Sequence, residues 1–353
     1  MSPTFKSEII DLLSLNDTPS INLLLQNAYQ VKNSVLGKTV FLRGLIEFSN
    51  ICVKECYYCG IRKSNSKVDR YLMSEEEILN SAMWAFENGY GSIVLQSGER
   101  NDKKFVSFVE NILLKISEAT SNKLRITLSC GEQSKETYKR WFEAGARRFL
   151  LRIESSNKII YENIHPSDHN FNRRVKCLLT LKEIGYQLGT GVMIGLPNQT
   201  IEDLANDIIF FRSLDADMIG MGPFIPHADT PLFEQDIKIV GNKNELYNLS
   251  LKMVAVTRIM LPKINIAAAT AFQALYPFGR EKALLAGANV FMPNISEVKY
   301  RKDYRLYETK PCVDENSIDC LQCVEKRIEG IGESIAYFEW GDSQHFEERI
   351  YNN

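Results

Sequence analysis

Apolar positions along this 353-residue chain follow two alternating rhythms. The first 36 residues carry the helical one. SEIIDLLSL spaces its apolar residues three and four apart, and PSINLLLQNAYQVKNSVLG opens on Pro-Ser and closes at Gly37. From Thr39 onward, short apolar runs alternate with amphipathic stretches. TVFLRGLIEFS (39–49) is strand-like, and SEEEILNSAMWAFENG carries a helix from Ser74 to Gly89, with Ser74 and Glu77 spaced as a capping box. GSIVLQS precedes a helix over 103–118, LRITLS one over 135–145, and RRFLLRIE one over 171–184. YQLGTGVMIG precedes 201–213, and ADMIGMG leads through a long loop to 244–260. INIAAAT is followed by a short helix near 280–286, and ANVFM closes the series. The strand candidates number eight, and most are continuous apolar runs, as parallel strands covered on both faces require.

Eight strand–helix units in about 250 residues predict an α/β fold, a single (β/α)8 TIM-type barrel. The expected layout is a helical N-terminal extension (1–36), the barrel (37–299) and a C-terminal tail (300–353) packed on it. An open doubly wound sheet is the alternative, since one miscounted strand breaks the ring. The tail reads as YRKDYRLYETKPC followed by one helix, CLQCVEKRIEGIGESIAYF.

Hydrophobic residues make up 44% and charged residues 24%, enough for one sizeable core. A net charge of −2 excludes a global field that would recruit nucleic acid or an anionic membrane. No apolar run follows a basic start and none is long enough to span a bilayer, so a cytoplasmic protein is expected. The 8 cysteines change the picture. Cys52, Cys56 and Cys59 form one tight group and Cys312, Cys320 and Cys323 a second, a pattern that argues for metal rather than disulfides. Cys130 and Cys177 follow apolar neighbours and read as buried thiols.

The first group, CVKECYYC, has Cys-x3-Cys-x2-Cys spacing and follows the first strand, at the rim where barrels place chemistry. Three thiolates suit two sites. One is zinc with a distant fourth ligand, the nearest histidine in sequence being His165; the other is a 4Fe–4S cluster whose last iron takes a chelating small molecule.

With Tyr58 before the last cysteine, CVKECYYC resembles the signature of the radical S-adenosylmethionine (radical SAM) superfamily. The resemblance implies a 4Fe–4S cluster on Cys52, Cys56 and Cys59, with the methionyl amine and carboxylate of S-adenosylmethionine on the open iron. It implies reductive cleavage to a 5′-deoxyadenosyl radical, and with it a low-potential electron donor. Ser97, Gly98 and Glu99 in LQSGE resemble the turn that meets the methionyl amine. Ser97 stands where a glycine is more usual. Glu154 ends RRFLLRIE and matches a ribose- or amine-binding carboxylate. Arg174 matches a carboxylate partner, and Met193 and Ile194 in GVMIGLPNQT match the adenine-side segment.

LTLKEIG, GVMIGLPNQTIEDL, MIGMGPFIPHADTPL, VTRIMLP and GANVFMPN are similar to the FeFe-hydrogenase maturase family of the HydE type, on a biotin-synthase-like barrel. That family implies assembly of the hydrogenase diiron subcluster on a small iron carbonyl/cyanide–cysteine type substrate, with the other maturases as partners. Its matched positions nominate Gln96, Thr127, Arg152, Thr270, Met292, Tyr304 and Tyr307 for the substrate pocket. Thr270 is read as ending the seventh strand, Met292 as ending the eighth, and Tyr304 and Tyr307 as sitting at helical spacing. Where the family motif commonly has two threonines, this chain has Ala269-Thr270. Some members carry such a trio, here Cys312, Cys320 and Cys323, as a second cluster (2Fe–2S or 4Fe–4S), with adventitious zinc the other candidate; nothing in the sequence places the tail at the barrel mouth. A methylornithine-synthase-like or other radical SAM amino-acid enzyme, and a non-catalytic iron–sulfur scaffold, are the competing readings. RRVK and KVDR read as solvated charges, and His227 as part of a proline-stiffened loop.

Overall fold

A computed structural model of the chain describes residues 3–234, 242–314 and 317–351. Eight parallel strands form its centre: β1 (Thr39–Ser49), β2 (Ser92–Ser97), β3 (Arg125–Ser129), β4 (Ala146–Leu150), β5 (Gln187–Thr190), β6 (Met218–Ile219), β7 (Asn265–Ile266) and β8 (Val290–Phe291). They are ordered β8–β1–β2–β3–β4–β5–β6–β7. A parallel bridge between Ala267 and Val290 joins the two ends, so the sheet closes as the eightfold apolar rhythm requires.

Strand alternation divides the side chains. Arg43, Val94, Thr127 and Leu150 face the barrel interior, while Ile93, Leu95, Ile126, Leu128 and Phe149 belong to the core under the helices, with Phe105, Val109, Ile112 and Trp141. The helices start where their caps dictate. Ser74 and Glu77 form the capping box, Asp102 and Ser134 each accept from a first-turn N–H, and Thr200 with Asp203 makes a second box. Helix Phe171–Ile184 stops at Gly185, whose φ of 105° few other residues tolerate. The N-terminal helices Pro3–Leu13 and Thr18–Leu36 pack on helix Lys243–Met260.

The tail departs from its expected form. Helix Ser317–Gly330 ends early, and Ser334–Ile335 forms a strand beside the start of β1. Gly332, at φ 76°, makes the turn between them. The chain then closes the N-terminal end of the barrel. Asp342 pairs with Arg125 at 3.0 Å and with Arg148, and the Gly341 carbonyl accepts from Arg43 (3.1 Å) and Asn265 (2.9 Å). With that end plugged, the other mouth is left for chemistry. Tyr304 and Tyr307 follow the short helix Val298–Arg301 rather than lying in one, and Thr270 begins helix Thr270–Leu275 instead of ending a strand.

Candidate active site

β1 loses register with β2 between Glu47 and Ser49, where the chain turns into the cysteine loop. Arg70 holds that loop shut. It donates to the carbonyls of Asn50 (2.8 Å), Ile61 (2.8 Å), Arg62 (2.6 Å), Lys63 (3.3 Å) and Asn65 (3.1 Å). The reading of KVDR as solvated charge is therefore wrong at this residue: unpaired loop carbonyls gave the guanidinium better partners than water. Two further segments press on the loop. Leu232 N–H donates to Tyr57 O (3.1 Å), and Gly60 N–H donates to Leu306 O (3.1 Å). A Cβ at Gly60 would overlap His227 and the Arg305 carbonyl, so the loop carrying His227 forms one wall.

Within this frame Cys52, Cys56 and Cys59 are free thiols. Cys52 Sγ accepts from the N–H groups of Glu99 (3.3 Å) and Lys54 (3.4 Å). Burial and then repulsion from Cys52 push the Cys59 thiol up to about 12. Burial, reinforced by Cys59 and Cys52, drives Cys56 upward too. Buried thiols that resist ionising beside one another suit a cationic metal centre that takes up their charge, and a 4Fe–4S cluster is the centre this donor set and spacing fit.

Folding brings two histidines to Cys56 that are remote in sequence. Ligand atoms of Cys56, His165 and His169 lie within 4.8 Å of one another. His165 is already committed: Nδ1 donates to Tyr161 O (2.8 Å), leaving Nε2 to accept from Tyr58 OH (3.2 Å). Burial lowers His165 to about 3 and His169 to about 4, so both are neutral. The spent nitrogens of His165 weigh against the zinc reading.

β2 ends in Gln96-Ser97-Gly98-Glu99. Gly98 lies so close to the cysteine loop that a Cβ there would sit 2.4 Å from Ile51 O and 2.8 Å from Cys52 Cβ. Ser97 Oγ donates back to Gly98 O (2.8 Å), tightening the turn. Past β3, Gly131 at φ 73° swings Glu132 inward, and Glu132 N–H donates to Glu99 Oε2 (2.9 Å). Glu132 is the main residue the sequence reading missed, although its place just past a strand end and a glycine could have flagged it. It accepts from Arg174 Nε (2.7 Å) and pairs with Arg173 (3.3 Å) and Lys54 (3.5 Å). Lys54 also reaches Glu99 (3.3 Å). The two carboxylates diverge. Burial raises Glu99, whereas in Glu132 the opposing effect of burial is outweighed by Arg174 and Lys54, which hold it low.

After β4, Glu154 takes φ 65°, a backbone state that non-glycine residues keep where the surroundings impose it. Its carboxylate is buried, raised by desolvation against the pull of Arg152 and Arg174. Oε2 pairs with Arg152 Nη2 at 3.0 Å. A carboxylate has lone pairs beyond those one guanidinium engages, so it can also accept from a hydroxyl or amine. Met193 is half-buried beside Tyr57 and Tyr58, while Ile194 is turned wholly into the main core. The Arg174 side chain is 11% exposed, not solvated as RRVK suggested, and its Nη1 donates to Arg152 O (3.1 Å).

The remaining nominated residues divide among three places in and above the barrel. Gln96 donates to Tyr304 OH at 3.2 Å. Thr127 and Met292 line an interior cavity of roughly 30 Å³ with Arg43, and Thr127 Oγ1 has no hydrogen-bond partner among the described residues. Thr270 and Met292 line a second cavity, roughly 20 Å³, with Arg280, Lys310, Cys312 and Cys323. Tyr307 is half-buried, and desolvation raises its phenol above the ordinary value. Lys310 pairs with the buried Glu47 at 2.6 Å and donates to Tyr304 O (2.8 Å). These contacts put the tail at the mouth, which the sequence did not indicate. Cys320 lies on helix Ser317–Gly330, its side chain outside the described residues. Cys130 and Cys177 are buried as expected.

The profile of the Radical SAM superfamily matches residues 46–211. Over 347 residues the chain is 43% identical to the FeFe hydrogenase maturase subunit HydE of Thermotoga maritima, covering 98% of this chain and 96% of that one. It is 29% identical to 3-methylornithine synthase of Methanosarcina acetivorans over 91% of this chain and 87% of that one. A solved methylornithine synthase (PylB) superposes with a TM-score of 0.79 at 25% identity, covering 94% of each chain.

Proposed function

The chain belongs to the radical SAM superfamily, in the family of the HydE maturase subunit, and from that premise we propose that it acts in assembling the diiron subcluster of an FeFe hydrogenase. The substrate class is a small iron carbonyl/cyanide–cysteine complex, and the other maturases and a low-potential electron carrier are its partners. When bound, a 4Fe–4S cluster on Cys52, Cys56 and Cys59 together with S-adenosylmethionine supplies 5′-deoxyadenosyl radical chemistry.

The observation that carries this reading is the convergence of those three thiols, at the open mouth of a plugged barrel, on Glu99, Glu132, Glu154 and Arg174. The chain's own residues have distinct work. Arg174, oriented by Glu132, offers its charge to the methionyl carboxylate, and the Gly98 turn lets backbone reach the methionyl amine. Glu154 accepts from a ribose hydroxyl, while Tyr58 and Met193 form the apolar wall that excludes water. Gln96, Thr127, Arg152, Thr270, Met292, Tyr304 and Tyr307, spread over the separate places described above, are the residues this reading assigns to the substrate, with Arg152 the cation for an anionic complex. Cys312 and Cys323 share one cavity with Thr270 and Met292. With Cys320 they are assigned a second iron–sulfur site. Among the described residues no helix is long and apolar enough to cross a membrane.

The test uses anaerobically reconstituted, reduced protein. S-adenosylmethionine is expected to change the cluster's EPR spectrum and yield 5′-deoxyadenosine, both lost in Cys56→Ser. Adding a synthetic iron carbonyl/cyanide–cysteine complex should raise the 5′-deoxyadenosine rate, whereas ornithine-type amino acids should not. A spectrum indifferent to S-adenosylmethionine under several reductants overturns the enzyme reading. A response to those amino acids with none to the iron complex moves the assignment to the amino-acid enzymes.

A further inference from the structure

One buried side chain touches the cysteine loop and has no role in the proposed function. His169 lies in the turn before helix Phe171–Ile184, and its side chain is 1% exposed. Its two nitrogens have unequal partners. Nε2 faces the backbone N–H of Glu55 at 3.5 Å, within hydrogen-bond reach, and the exposed Asp168 carboxylate at 3.8 Å, beyond it; a backbone N–H can only donate. Nε2 is therefore the acceptor and Nδ1 carries the ring proton. Nδ1 in turn lies 3.9 Å from Cys56 Sγ, within the reach of an N–H···S bond. The tautomer is thus set by the same loop that carries the thiol: Glu55 and Cys56 are adjacent, and the ring bridges them.

We propose that His169 is a positioning and tuning residue for the cluster, its Nδ1–H donating to the Cys56 thiolate and raising the reduction potential of the iron–sulfur centre. This rests on the cluster assignment above. A hydrogen bond to a ligating sulfur draws charge from it, and the reduced cluster, one charge more negative, gains more than the oxidised one. Burial strengthens the effect, because no water reaches that side of the ring to replace the bond. His165 makes no such contact; it acts one step away through Tyr58.

The experiment is an EPR-monitored redox titration of the reconstituted protein without S-adenosylmethionine, for wild type, His169→Leu, His169→Asn and His169→Gln. Leucine removes the donor, and the equilibrium constant for one-electron reduction by dithionite or a reduced viologen should fall about tenfold, which is a 59 mV more negative midpoint. Asparagine places an amide N–H near the position of Nδ1 and should restore most of the shift. Glutamine reaches the place of Nε2 instead and should not. A leucine midpoint equal to wild type, or equal midpoints for asparagine and glutamine, overturns the proposal. If the leucine protein takes up no iron, the asparagine–glutamine comparison decides. If none of the three takes up iron, the ring serves assembly and the tuning role is refuted. A wild-type cluster that ignores S-adenosylmethionine would sink the proposed function while leaving this midpoint comparison readable.

Discussion

Gly98→Ala tests the site most directly, because the obstacle it creates is backbone. A Cβ there would stand 2.4 Å from Ile51 O and 2.8 Å from Ile51 C and Cys52 Cβ, where ordinary contact begins at 3.4 Å. No flexible side-chain tip is available to move aside. The end of β2 and the cysteine loop must separate by about 1 Å, carrying Cys52 and the Glu99 N–H that donates to it. Overpacking of this kind costs about 1–3 kcal/mol. The larger consequence is functional, since a displacement of about 1 Å at a reacting centre lowers rates on the order of 100-fold. The assay is 5′-deoxyadenosine formation per cluster, alongside iron content and a thermal melt. Gly330→Ala is the control: nothing lies within 4 Å of its Cβ, and its rate and iron content should match wild type. Were Gly98→Ala to form 5′-deoxyadenosine at the wild-type rate with an unchanged melt, the close approach of these two segments would be irrelevant to the site, and the assignment of the Gly98 turn would go with it.

Other predictions concern buried charge. Glu132→Ala leaves Arg174 without its 2.7 Å partner and should destabilise the fold by about 3–5 kcal/mol, read by denaturant titration; Arg174 then loses its orientation, and S-adenosylmethionine affinity measured by EPR titration should fall with it. Lys310→Met strands the buried Glu47 carboxylate and should free the segment around Tyr304–Cys312 to limited proteolysis; an unchanged digestion pattern would show that this ion pair does not hold the tail at the mouth. Asp207, wholly buried with Oδ2 unpartnered among the described residues, is raised by desolvation to about 7 against an ordinary 3.8. A carboxyl raised in the native state binds its proton there while the unfolded chain has released it, so its contribution weakens as pH climbs from about 4 to 7 and is flat above. Asp207→Asn should flatten that slope in melts between pH 5 and 8, and an equal slope in both proteins would show that the group does not titrate there.

The eightfold alternation, the cap at Ser74 and the turn at Gly37 were legible along the chain because they depend on neighbours within a few residues. The cysteine triplet and its place after the first strand were legible for the same reason: ligand spacing is local. The closing bridge between Ala267 and Val290, Arg70's grip on five carbonyls and the Glu132–Arg174 pair were not. Each joins residues whose separation in sequence carries no period, and each exists because a buried polar group must find a partner wherever the fold provides one. The same holds for the tail. Its sequence displays cysteines and charge, but only tertiary structure brings Lys310 to Glu47 at one mouth and Asp342 to Arg148 at the other. The sequence by itself determined the rhythm of the barrel and the chemistry of the cysteine loop. Which charges surround that loop, and which histidine touches its sulfur, was decided by desolvation in three dimensions.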